Sequence, residues 1–354
     1  MSDGPTVELT GPVHIIGTGL LGTSIGLALS ARGVPVWLSD TNPDHVRTAA
    51  GLGAGTAYRS GVAQLVVVAV PPSGIAEAVR SALATGAAVT DVGSVKSGPL
   101  AGIASSAYAS RFVGGHPMAG SERSGPLAAS AALFDGRPWA ITPHEGSEPG
   151  VVALVEALAR TCGAVALTMS PRAHDEAVAR TSHLPHLMAA VVAAQLADAD
   201  PAQLALSGQG VRDVTRIAAG EPRLWQQIIA GNAVALRTLL LDVRDDLDRL
   251  LAALDDPEAL VTVLDAGVRG TQAIPGKHGG PPLPTASVYV AVPDHPGELA
   301  RLLADVGAIG ANLEDLHIDH DPGRPVGLVE LVVGAAAAEQ LRESLESRNW
   351  VVHR

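Results

Sequence analysis

The sequence predicts an α/β protein that begins with a doubly wound parallel sheet, continues with an all-helical domain and ends in a βαββαβ module. Three observations indicate this order. Short apolar runs alternate with helical segments in the first half of the chain. Apolar residues then recur at spacings of three and four, which is the helical period. Short strand-like runs return near the end, after a stretch that is rich in proline and glycine.

The first domain is predicted over residues 10–169. Regular alternation of strands and helices favours parallel strands joined by right-handed crossovers, and therefore a doubly wound sheet. The last two strands are expected to extend the same sheet. The predicted strands are Val13–Ile16, Val34–Leu38, Leu65–Val70, Ala88–Thr90, Phe112–Val113, Trp139–Thr142 and Val165–Thr168, and the predicted helices are Leu20–Ala31, Ile75–Ala84 and Val151–Arg160.

The second domain is predicted over residues 170–273 and consists of helices. The helical period is clear between Leu236 and Leu251, where apolar residues lie three or four apart. Pro185 is expected to interrupt the first helix. The predicted helices are Arg172–Ala197, Pro201–Leu206, Leu224–Ala253 and Pro257–Arg269.

A linker is predicted over residues 274–284, because its prolines and glycines cannot support a helix or a central strand. The last domain, residues 285–354, has the element order strand, helix, strand, strand, helix, strand. That order is typical of a ferredoxin-like module. Its predicted strands are Ser287–Val292, Leu313–Asp319, Gly327–Val333 and Trp350–Val352, and its helices are Gly297–Gly307 and Ala336–Glu346.

The composition disfavours several classes of protein. The formal net charge of −12 over 354 residues argues against a nucleic-acid partner, because no basic patch can neutralise phosphates. The longest apolar stretch, Leu187–Leu196, is shorter than the roughly 20 residues of a membrane helix. The N-terminus lacks the basic segment of a signal peptide, and Cys162 is the only cysteine. We therefore expect a soluble, cytoplasmic protein without a disulfide.

A glycine-rich loop follows the first predicted strand and opens the first helix. Gly17, Gly19 and Gly22 form the pattern Gly-x-Gly-x-x-Gly. In dinucleotide-binding loops the first glycine allows a tight turn, the second lets the pyrophosphate approach, and the third allows the helix to pack closely on the strand. The phosphates then meet the helix N-terminus, here at Leu20 and Leu21. The alternative is a tight turn that binds no ligand.

Asp40 ends the second predicted strand, roughly 20 residues beyond the loop, where this fold carries an acidic residue. A carboxylate there accepts hydrogen bonds from the ribose hydroxyls and repels a 2′-phosphate. No arginine follows it directly, since Arg47 lies further along the next helix. We therefore expect NAD rather than NADP, with Val70 also in the cofactor site. The alternative for Asp40 is to cap the helix that starts near Pro43.

His116 is the candidate general base, in a segment that reads Gly-Gly-His-Pro-Met-Ala-Gly. The ordinary pKa of a histidine, about 6.5, leaves much of it neutral near pH 7. The glycines allow backbone and substrate to approach closely, and Pro117 restricts the bend. The alternative is that His116 only caps a turn.

Further motifs decide between these alternatives. The blocks are Asp91–Lys96, Gly115–Gly125, Ser182–His186 and Arg212–Arg216, followed by Trp225. Together with the glycine loop they resemble the prephenate and arogenate dehydrogenases, over the chain from Pro12 to Leu264. The resemblance implies conversion of prephenate to 4-hydroxyphenylpyruvate, or of arogenate to tyrosine, with release of carbon dioxide and reduction of a nicotinamide.

The resemblance also implies roles for single residues. His116 would take the proton of the substrate hydroxyl while hydride leaves the same carbon. Ser94 would lie beside the nicotinamide and bind both the histidine and that hydroxyl; its alternative is to cap a helical turn near Lys96. Arg216 would hold the ring carboxylate with its two-pronged guanidinium group. The alternative for Arg216 is a surface ion pair.

Other residues of the matching blocks are assigned to the substrate site. His186 would meet the side-chain end of the substrate, and Ser182 and His183 would line the same segment. Asp213 and Glu122 would make ionic contacts around Arg216 and the entrance, with an ordinary surface role as the alternative. The spacing of the two histidines also fits metal ligands, but no third ligand completes the set, and we expect no metal. Lys96 receives no role.

Two rival functions remain to be weighed. A β-hydroxyacid or imine reductase has a similar arrangement of domains but relies on a lysine in its second domain, and no lysine lies between Lys96 and Lys277. A nucleotide-sensing regulator would not need Ser94, His116 and Arg216. The leading hypothesis is an NAD-dependent dehydrogenase that acts on prephenate in tyrosine biosynthesis, with arogenate as the near alternative, because no single residue separates the two substrates.

Assembly and regulation are expected from the rest of the chain. The apolar positions of the helical domain exceed what one small domain can bury, so we expect a homodimer. The segment Val290–Ala300 resembles the start of ACT domains, which bind amino acids. Tyrosine is the expected effector, since it is the end product of the pathway to which the resembled enzymes belong. The alternative is a module with a purely structural role. The candidate effector-binding residues are Asp294, Gly297, Asn312 and Leu313.

Overall fold

The structure, a computed structural model, describes residues 7–120, 123–275, 284–320 and 326–353. The chain divides into two compact units, Met1–Arg244 and Asp245–Arg354, each of which is described by itself. Glu122 and most of the predicted linker, 274–284, lie outside the described residues.

The first unit begins with a sheet of parallel strands that holds the glycine loop at its carboxyl edge. Its strands follow the order β3-β2-β1-β4-β5. Strand β4 is buried along its whole length. Leu65 and Val67 belong to one apolar cluster and Val66 and Val68 to another, so both faces are covered, as the doubly wound fold requires. The elements are β1 (Val13–Ile16), α1 (Leu20–Ser30), β2 (Val36–Ser39), α2 (Pro43–Gly51), β3 (Thr56–Ala57), β4 (Leu65–Val68), α3 (Ile75–Leu83), β5 (Ala88–Asp91) and α4 (Ser97–Ile103).

Three more strands of the first unit form a separate sheet in the order β6-β7-β8, so the prediction that the last two strands extend the parallel sheet is wrong. They are β6 (Gly114–Pro117), β7 (Pro138–Thr142) and, after helix α5 (Pro149–Thr161), β8 (Val165–Thr168). Strand β6 is antiparallel to β7, and β7 is parallel to β8. Strand β6 follows Phe112, which makes a parallel bridge to Val89 on β5, so β7 and β8 both run against the direction of the first sheet. The expectation of parallel strands throughout is therefore wrong here, and mixed strand directions are common in such folds.

The segment that contains His116 is a strand and not the predicted bend. The sequence placed a strand at Phe112–Val113, but Phe112 makes only an isolated bridge to Val89, and the strand begins at Gly114. A Cβ atom on Gly114 would lie 2.5 Å from Thr142 Oγ1, and one on Gly115 would lie 2.9 Å from the carbonyl oxygen of Asp91. The glycines therefore serve close packing of β6 between its neighbours.

The helical part of the chain is more broken than predicted. Its elements are α6 (Pro171–Val178), a π-helical turn (Ala179–His183), α7 (Leu184–Ala194), α8 (Pro201–Leu204), α9 (Gln209–Thr215), a 3-10 turn (Arg216–Ala219), α10 (Pro222–Gly231), α11 (Ala233–Ala253) and, in the second unit, α12 (Pro257–Gln272). The interruption predicted at Pro185 is the π-helical turn, which ends before it. Helix α9 was not predicted.

The predicted helix Leu224–Ala253 is two helices that meet at Asn232. Asn232 is buried, and its side-chain amide donates to the carbonyl oxygen of Asp175 over 2.7 Å. The same amide lies 3.1 Å from His183 Nδ1. A buried polar side chain must satisfy its hydrogen bonds, so these contacts with α6 and the π-helical turn account for the break.

The second unit ends in the expected βαββαβ module. Its antiparallel sheet has the strand order β10-β11-β9-β12. Val288, Val290 and Val292 alternate into a buried core with residues of both helices. The elements are β9 (Thr285–Pro293), α13 (Glu298–Ile309), β10 (Leu313–His320), β11 (Val326–Gly334), α14 (Ala335–Ser347) and β12 (Val351–His353).

Candidate active site

The glycine loop between β1 and α1 has the steric features of a phosphate cradle. A Cβ atom on Gly17, whose φ is +98°, would lie 2.4 Å from the carbonyl oxygen of Ala69, and one on Gly22 would lie 1.9 Å from that of Gly17. Gly19 faces open space, with no heavy atom within 4 Å of an added Cβ. Gly19 is the N-cap of α1 and provides no side-chain cap. The amide groups at Leu20 and Leu21 therefore begin a helix whose N-terminus fits a diphosphate.

Asp40 fastens the end of β2 to this loop. Its carboxylate accepts hydrogen bonds from the amide of Thr18 over 2.7 Å and from the Thr18 hydroxyl over 3.1 Å. It also accepts one from the amide of Asn42 over 2.8 Å. Burial alone would raise the pKa of Asp40, but these hydrogen bonds outweigh it and hold the pKa below its usual value. Asp40 is therefore an ionised acceptor beside the loop.

The alternative role of Asp40 as the cap of α2 belongs to another residue. Asn42 is the N-cap, and its side chain accepts a hydrogen bond from the amide of Asp44. Val70 lies just after β4 and is half-buried, and its amide nitrogen would be 3.1 Å from a Cβ on Gly17. Val70 is thus next to the glycine loop.

His116 lies on β6 and is half-buried. Its Nδ1 is 2.9 Å from Nε2 of His174, on α6. His174 is buried, and its own Nδ1 is 2.9 Å from Oδ1 of Asp175. The structure therefore brings together His116, His174 and Asp175 in one chain of hydrogen bonds. Sequence reasoning missed the last two, which belong to none of the matching blocks.

Asp175 is the anchor of this chain. Its two carboxylate oxygens accept hydrogen bonds from the amides of Lys96 and Ser97, each over 2.8 Å. These amides belong to the N-terminus of α4, which favours a negative charge. Burial raises the pKa of Asp175, but the hydrogen bonds from His174 and Ser97 outweigh it and keep the pKa below its usual value. Asp175 is therefore ionised.

Lys96 has a structural role that the sequence did not indicate. It is 2% exposed and forms a buried ion pair with Asp91 at the end of β5. Its ammonium group also donates to the carbonyl oxygen of Gly115 over 2.7 Å. Burial lowers the pKa of Lys96, against the opposing effect of Asp91. Lys96 thereby ties β6 to β5 at the residue next to His116.

The surroundings of His116 favour its neutral form. Burial lowers its pKa well below the ordinary value, and the positive charges that His174, Lys96 and His183 can carry act in the same direction. Asp175 opposes them. Since a lowered histidine pKa means that the proton is lost at a lower pH, the imidazole is a free base at neutral pH.

Ser94 lies in the loop between β5 and α4 and is half-buried. It does not cap α4, because the N-cap position belongs to Lys96. Its hydroxyl makes no hydrogen bond with any residue that the structure describes, so it is available to a ligand.

His183 and His186 are both buried on the π-helical turn and α7. Burial lowers the pKa of His183 to about 4, so its Nδ1 can accept the hydrogen bond from Asn232. His186 stacks on Trp225, with ring centroids 3.5 Å apart and planes at 11°. Ser182, next to His183, is half-buried.

Arg216 begins the 3-10 turn after α9 and is exposed. Within the described parts of the chain it forms no ion pair, so the alternative of a surface ion pair is not observed there. Asp213 is also exposed, and its carboxylate accepts a hydrogen bond from Gln209 over 2.8 Å. The expected contact between Asp213 and Arg216 is not formed, and Glu122 lies outside the described residues.

The described residues meet neither the requirements of a metal site nor those of a membrane-spanning helix. No three histidine, cysteine, aspartate or glutamate side chains there are grouped so that they could hold a metal ion. None of the described helices has the length and apolar character to span a bilayer.

The candidate effector residues occupy opposite ends of α13. Asp294 and Gly297 lie between β9 and this helix, and Gly297, with φ +96°, is its N-cap. Asn312 and Leu313 lie beyond its C-terminus, where Asn312 donates to Glu314 over 3.2 Å. A helix of 12 residues spans about 18 Å, so one module does not bring the two pairs together.

Two domain models of one enzyme match the chain from within α1 to within α12. The nucleotide-binding domain of prephenate dehydrogenase matches residues 25–168, and the dimerization domain of the same enzyme matches residues 170–265. The chain belongs to the prephenate dehydrogenase family. The resemblance inferred from the motifs is thereby confirmed, and the chain is an NAD-dependent oxidoreductase of that family.

Individual relatives extend the match over most of the chain. The probable prephenate dehydrogenase NovF of Streptomyces niveus is 36% identical over 95% of this chain and 98% of its own length. A solved prephenate dehydrogenase of Aquifex aeolicus, in complex with hydroxyphenyl propionate and NAD⁺, is 26% identical, with a TM-score of 0.67 over 74% of this chain and 98% of its own. A solved arogenate dehydrogenase of Synechocystis is 27% identical, with a TM-score of 0.62 over 73% of this chain and 99% of its own.

Replacement of Asp40 by asparagine tests the cofactor site. We expect affinity for NAD to fall about tenfold or more, since hydrogen bonds to a charged group contribute about 1.5–3 kcal/mol. Affinity for NADP should fall less, because repulsion of its 2′-phosphate disappears. Calorimetric titration with both dinucleotides measures this, with Asp44→Asn, on the exposed surface of α2, as the matched control. An unchanged ratio of the two affinities would show that Asp40 does not bind the ribose.

Proposed function

We propose that this chain catalyses the NAD-dependent oxidative decarboxylation of prephenate to 4-hydroxyphenylpyruvate, with His116 as the base. The observation that carries the proposal is a neutral, half-buried histidine on β6, in a chain whose two matched domains belong to one dehydrogenase family. Assay of the pure protein with prephenate and arogenate, each with NAD and NADP, tests it. No turnover of either substrate would refute it.

The chemistry requires a base at the ring hydroxyl. NAD held by the glycine loop and Asp40 would supply the acceptor for the hydride that leaves the carbon bearing this hydroxyl. His116 takes the hydroxyl proton as carbonyl character develops at that carbon. Loss of carbon dioxide from the opposite ring carbon leaves an electron pair that makes the ring aromatic, and the oxygen then regains a proton. The Ser94 hydroxyl, which has no partner among the described residues, would bind the same oxygen.

The cofactor and the carboxylates need different groups. Gly17, Gly19 and the N-terminus of α1 would hold the diphosphate, and Asp40 the ribose. Arg216 would hold the ring carboxylate, which leaves as carbon dioxide. His186, Ser182 and His183 would form the side-chain end of the substrate site, with Asp213 and Glu122 at its entrance.

Arogenate is the second candidate substrate. It differs from prephenate in carrying an ammonium group where prephenate has a ketone. The solved arogenate dehydrogenase of Synechocystis is as similar to this chain in identity as the solved prephenate dehydrogenase of Aquifex aeolicus. A higher kcat/KM for arogenate than for prephenate would favour it.

Replacement of His116 by asparagine should remove turnover and leave binding of NAD nearly unchanged. Loss of general-base catalysis costs about 10²–10⁴-fold in rate, and the hydroxyl proton is not part of the dinucleotide site. Single-turnover rates and NAD titrations measure the two effects. His144→Asn, in a loop outside this site, is the control. A His116 variant as fast as this control would show that His116 is not the general base.

Replacement of Arg216 by alanine should raise the KM for prephenate strongly and lower kcat less. The guanidinium binds the carboxylate in the ground state as well as in the transition state, and loss of such uniform binding appears in KM. Steady-state kinetics of Arg216→Ala, Arg216→Lys and the exposed Arg223→Ala provide the series. If KM is the same in all three, another cation binds the ring carboxylate.

We further propose that the chain is a homodimer through its helical part. Apolar side chains remain exposed in the part of the first unit that is helical. The family's dimerization domain matches residues 170–265 of this chain. The exposed side chains include Val191, Val192, Leu204, Leu206, Val211, Val214, Leu224, Val234 and Leu241. Exposed apolar side chains gathered in one domain favour an interface.

Light scattering at micromolar concentration should therefore give twice the mass of one chain. The reason is the exposed apolar surface, which a second copy would remove from water. The bare chain mass at this concentration would contradict the dimer.

The C-terminal module is proposed to bind tyrosine between two modules. Gly297 leaves the N-terminus of α13 without a side-chain cap, so its amides can meet a carboxylate. Asn312 and Leu313 lie at the other end of that helix, and a second copy of the module could supply them to the same ligand. The positive φ of Gly297 is one that other residues rarely adopt.

Tyrosine at submillimolar concentration should therefore inhibit turnover. Asp294→Ala and Asn312→Ala in the full chain should relieve the inhibition and leave the uninhibited rate unchanged, because both residues lie outside the catalytic unit. Initial rates against tyrosine concentration provide the measurement. Competitive inhibition that both variants retain would place tyrosine in the active site instead.

A further inference from the structure

The chain of hydrogen bonds behind His116 assigns a role to two residues of α6. We propose that His174 and Asp175 are positioning residues that hold His116 with its hydrogen on Nδ1, so that Nε2 is the atom that takes the substrate proton. This inference rests on the proposed function, and it names the reacting atom.

The direction of the chain follows from Asp175. Its oxygens accept hydrogen bonds from two backbone amides at the start of α4 and remain acceptors. The 2.9 Å contact with Asp175 Oδ1 therefore requires a hydrogen on Nδ1 of His174. In a neutral His174 the other nitrogen, Nε2, then carries a lone pair. His116 must donate from Nδ1 across 2.9 Å, and its own lone pair is left on Nε2.

The opposite arrangement removes the base. If His174 carried hydrogens on both nitrogens, it would donate to Nδ1 of His116, and the neutral His116 would then carry its hydrogen on Nε2. That arrangement puts a second hydrogen on a ring that is 1% exposed, whereas one hydrogen on each ring satisfies both contacts without a buried cation. The charged and titratable groups that act on His116 are His174, Lys96, His183 and Asp175, and Lys96 is paired with Asp91.

The same chain supports His116 during turnover. The hydroxyl proton arrives at Nε2, and the resulting imidazolium keeps its Nδ1 hydrogen directed at His174. No second proton transfer is needed. Asp175 lies behind both rings, and its negative charge stabilises the imidazolium. The amides at the start of α4 hold the carboxylate of Asp175, and the side chain of Asn232 holds its backbone carbonyl oxygen. The two rings are therefore held in place before substrate binds.

Two substitutions of His174 separate its contacts. Glutamine extends far enough to place an amide oxygen near the position of Nε2, where it can still accept from His116. Asparagine reaches only the position of Nδ1, so it keeps the contact with Asp175 and loses that with His116. We expect His174→Asn to lower kcat between about 10²- and 10⁴-fold and His174→Gln to lower it much less. KM for prephenate and the affinity for NAD should be unchanged in both.

A merely structural role for His174 would not produce this order. Equal losses of kcat in the two variants, or a larger loss for glutamine, would overturn the proposal. His144→Asn serves as the control for loss of a histidine. Thermal unfolding of each variant identifies a loss of kcat that comes from unfolding, and such a variant is compared at a lower temperature where it is folded.

Nitrogen NMR provides a test that does not depend on activity. Long-range proton–nitrogen correlations of the full chain with ¹⁵N-labelled histidine, assigned by the signals missing in His116→Asn, show which ring nitrogen carries hydrogen. We expect Nδ1 for His116. Hydrogen on Nε2 would overturn the inference even in an enzyme that turns over prephenate. The expected tautomer in a chain that turns over neither substrate would refute the proposed function and leave the positioning intact.

The pH dependence supplies the last arm. Asp175 is the group that raises the pKa of His116 against burial, so Asp175→Asn should move the acid limb of kcat/KM to lower pH. Activity is lost as the pH falls through the pKa of the base, and a lower pKa moves that loss downwards. An acid limb that stays in place in a folded Asp175→Asn variant would show that the carboxylate does not act on His116.

Discussion

The carboxylate of Asp175 is the constraint on which the rest of the site depends. It accepts hydrogen bonds from the amides at the start of α4 and from a ring nitrogen of His174. One side chain of α6 thereby connects the loop after β5 to the base on β6. A charge that is only 5% exposed is tolerated because each of its oxygens has a donor. Without it, neither the loop that carries Ser94 nor the ring of His174 would have a fixed position.

A second buried charge pair supports the other side of His116. Lys96 and Asp91 are both buried, and Lys96 reaches the carbonyl oxygen of Gly115. A buried ion pair contributes little net stability, because the desolvation of both groups offsets their attraction. Its value here is geometric, since it sets where β6 lies against β5. The glycines of β6 are part of the same arrangement, because side chains there would meet Thr142 and the backbone of Asp91.

These constraints explain how one imidazole can be a base in a crowded site. Burial and nearby positive groups lower its pKa, and Asp175 limits that effect. A histidine that was only buried would be a weak base, and one that was only paired with a carboxylate would be protonated near neutral pH. The intermediate ring of His174 places the charge at a distance where it orients His116 without forming a direct ion pair.

The sequence by itself determined the features that depend on local pattern. The glycine loop, the alternation of strands and helices around the parallel sheet, and the final βαββαβ module could be predicted, because each depends on residue types at short and regular spacings. Tertiary structure alone decided the rest. The direction of β7, the break at Asn232 and the buried place of Lys96 depend on contacts between distant segments. His174 and Asp175 contact residues 58 and 79 positions away in the sequence, and no local spacing encodes such a meeting. It exists because a folded core leaves buried polar groups no water, and each must find its partner on another element.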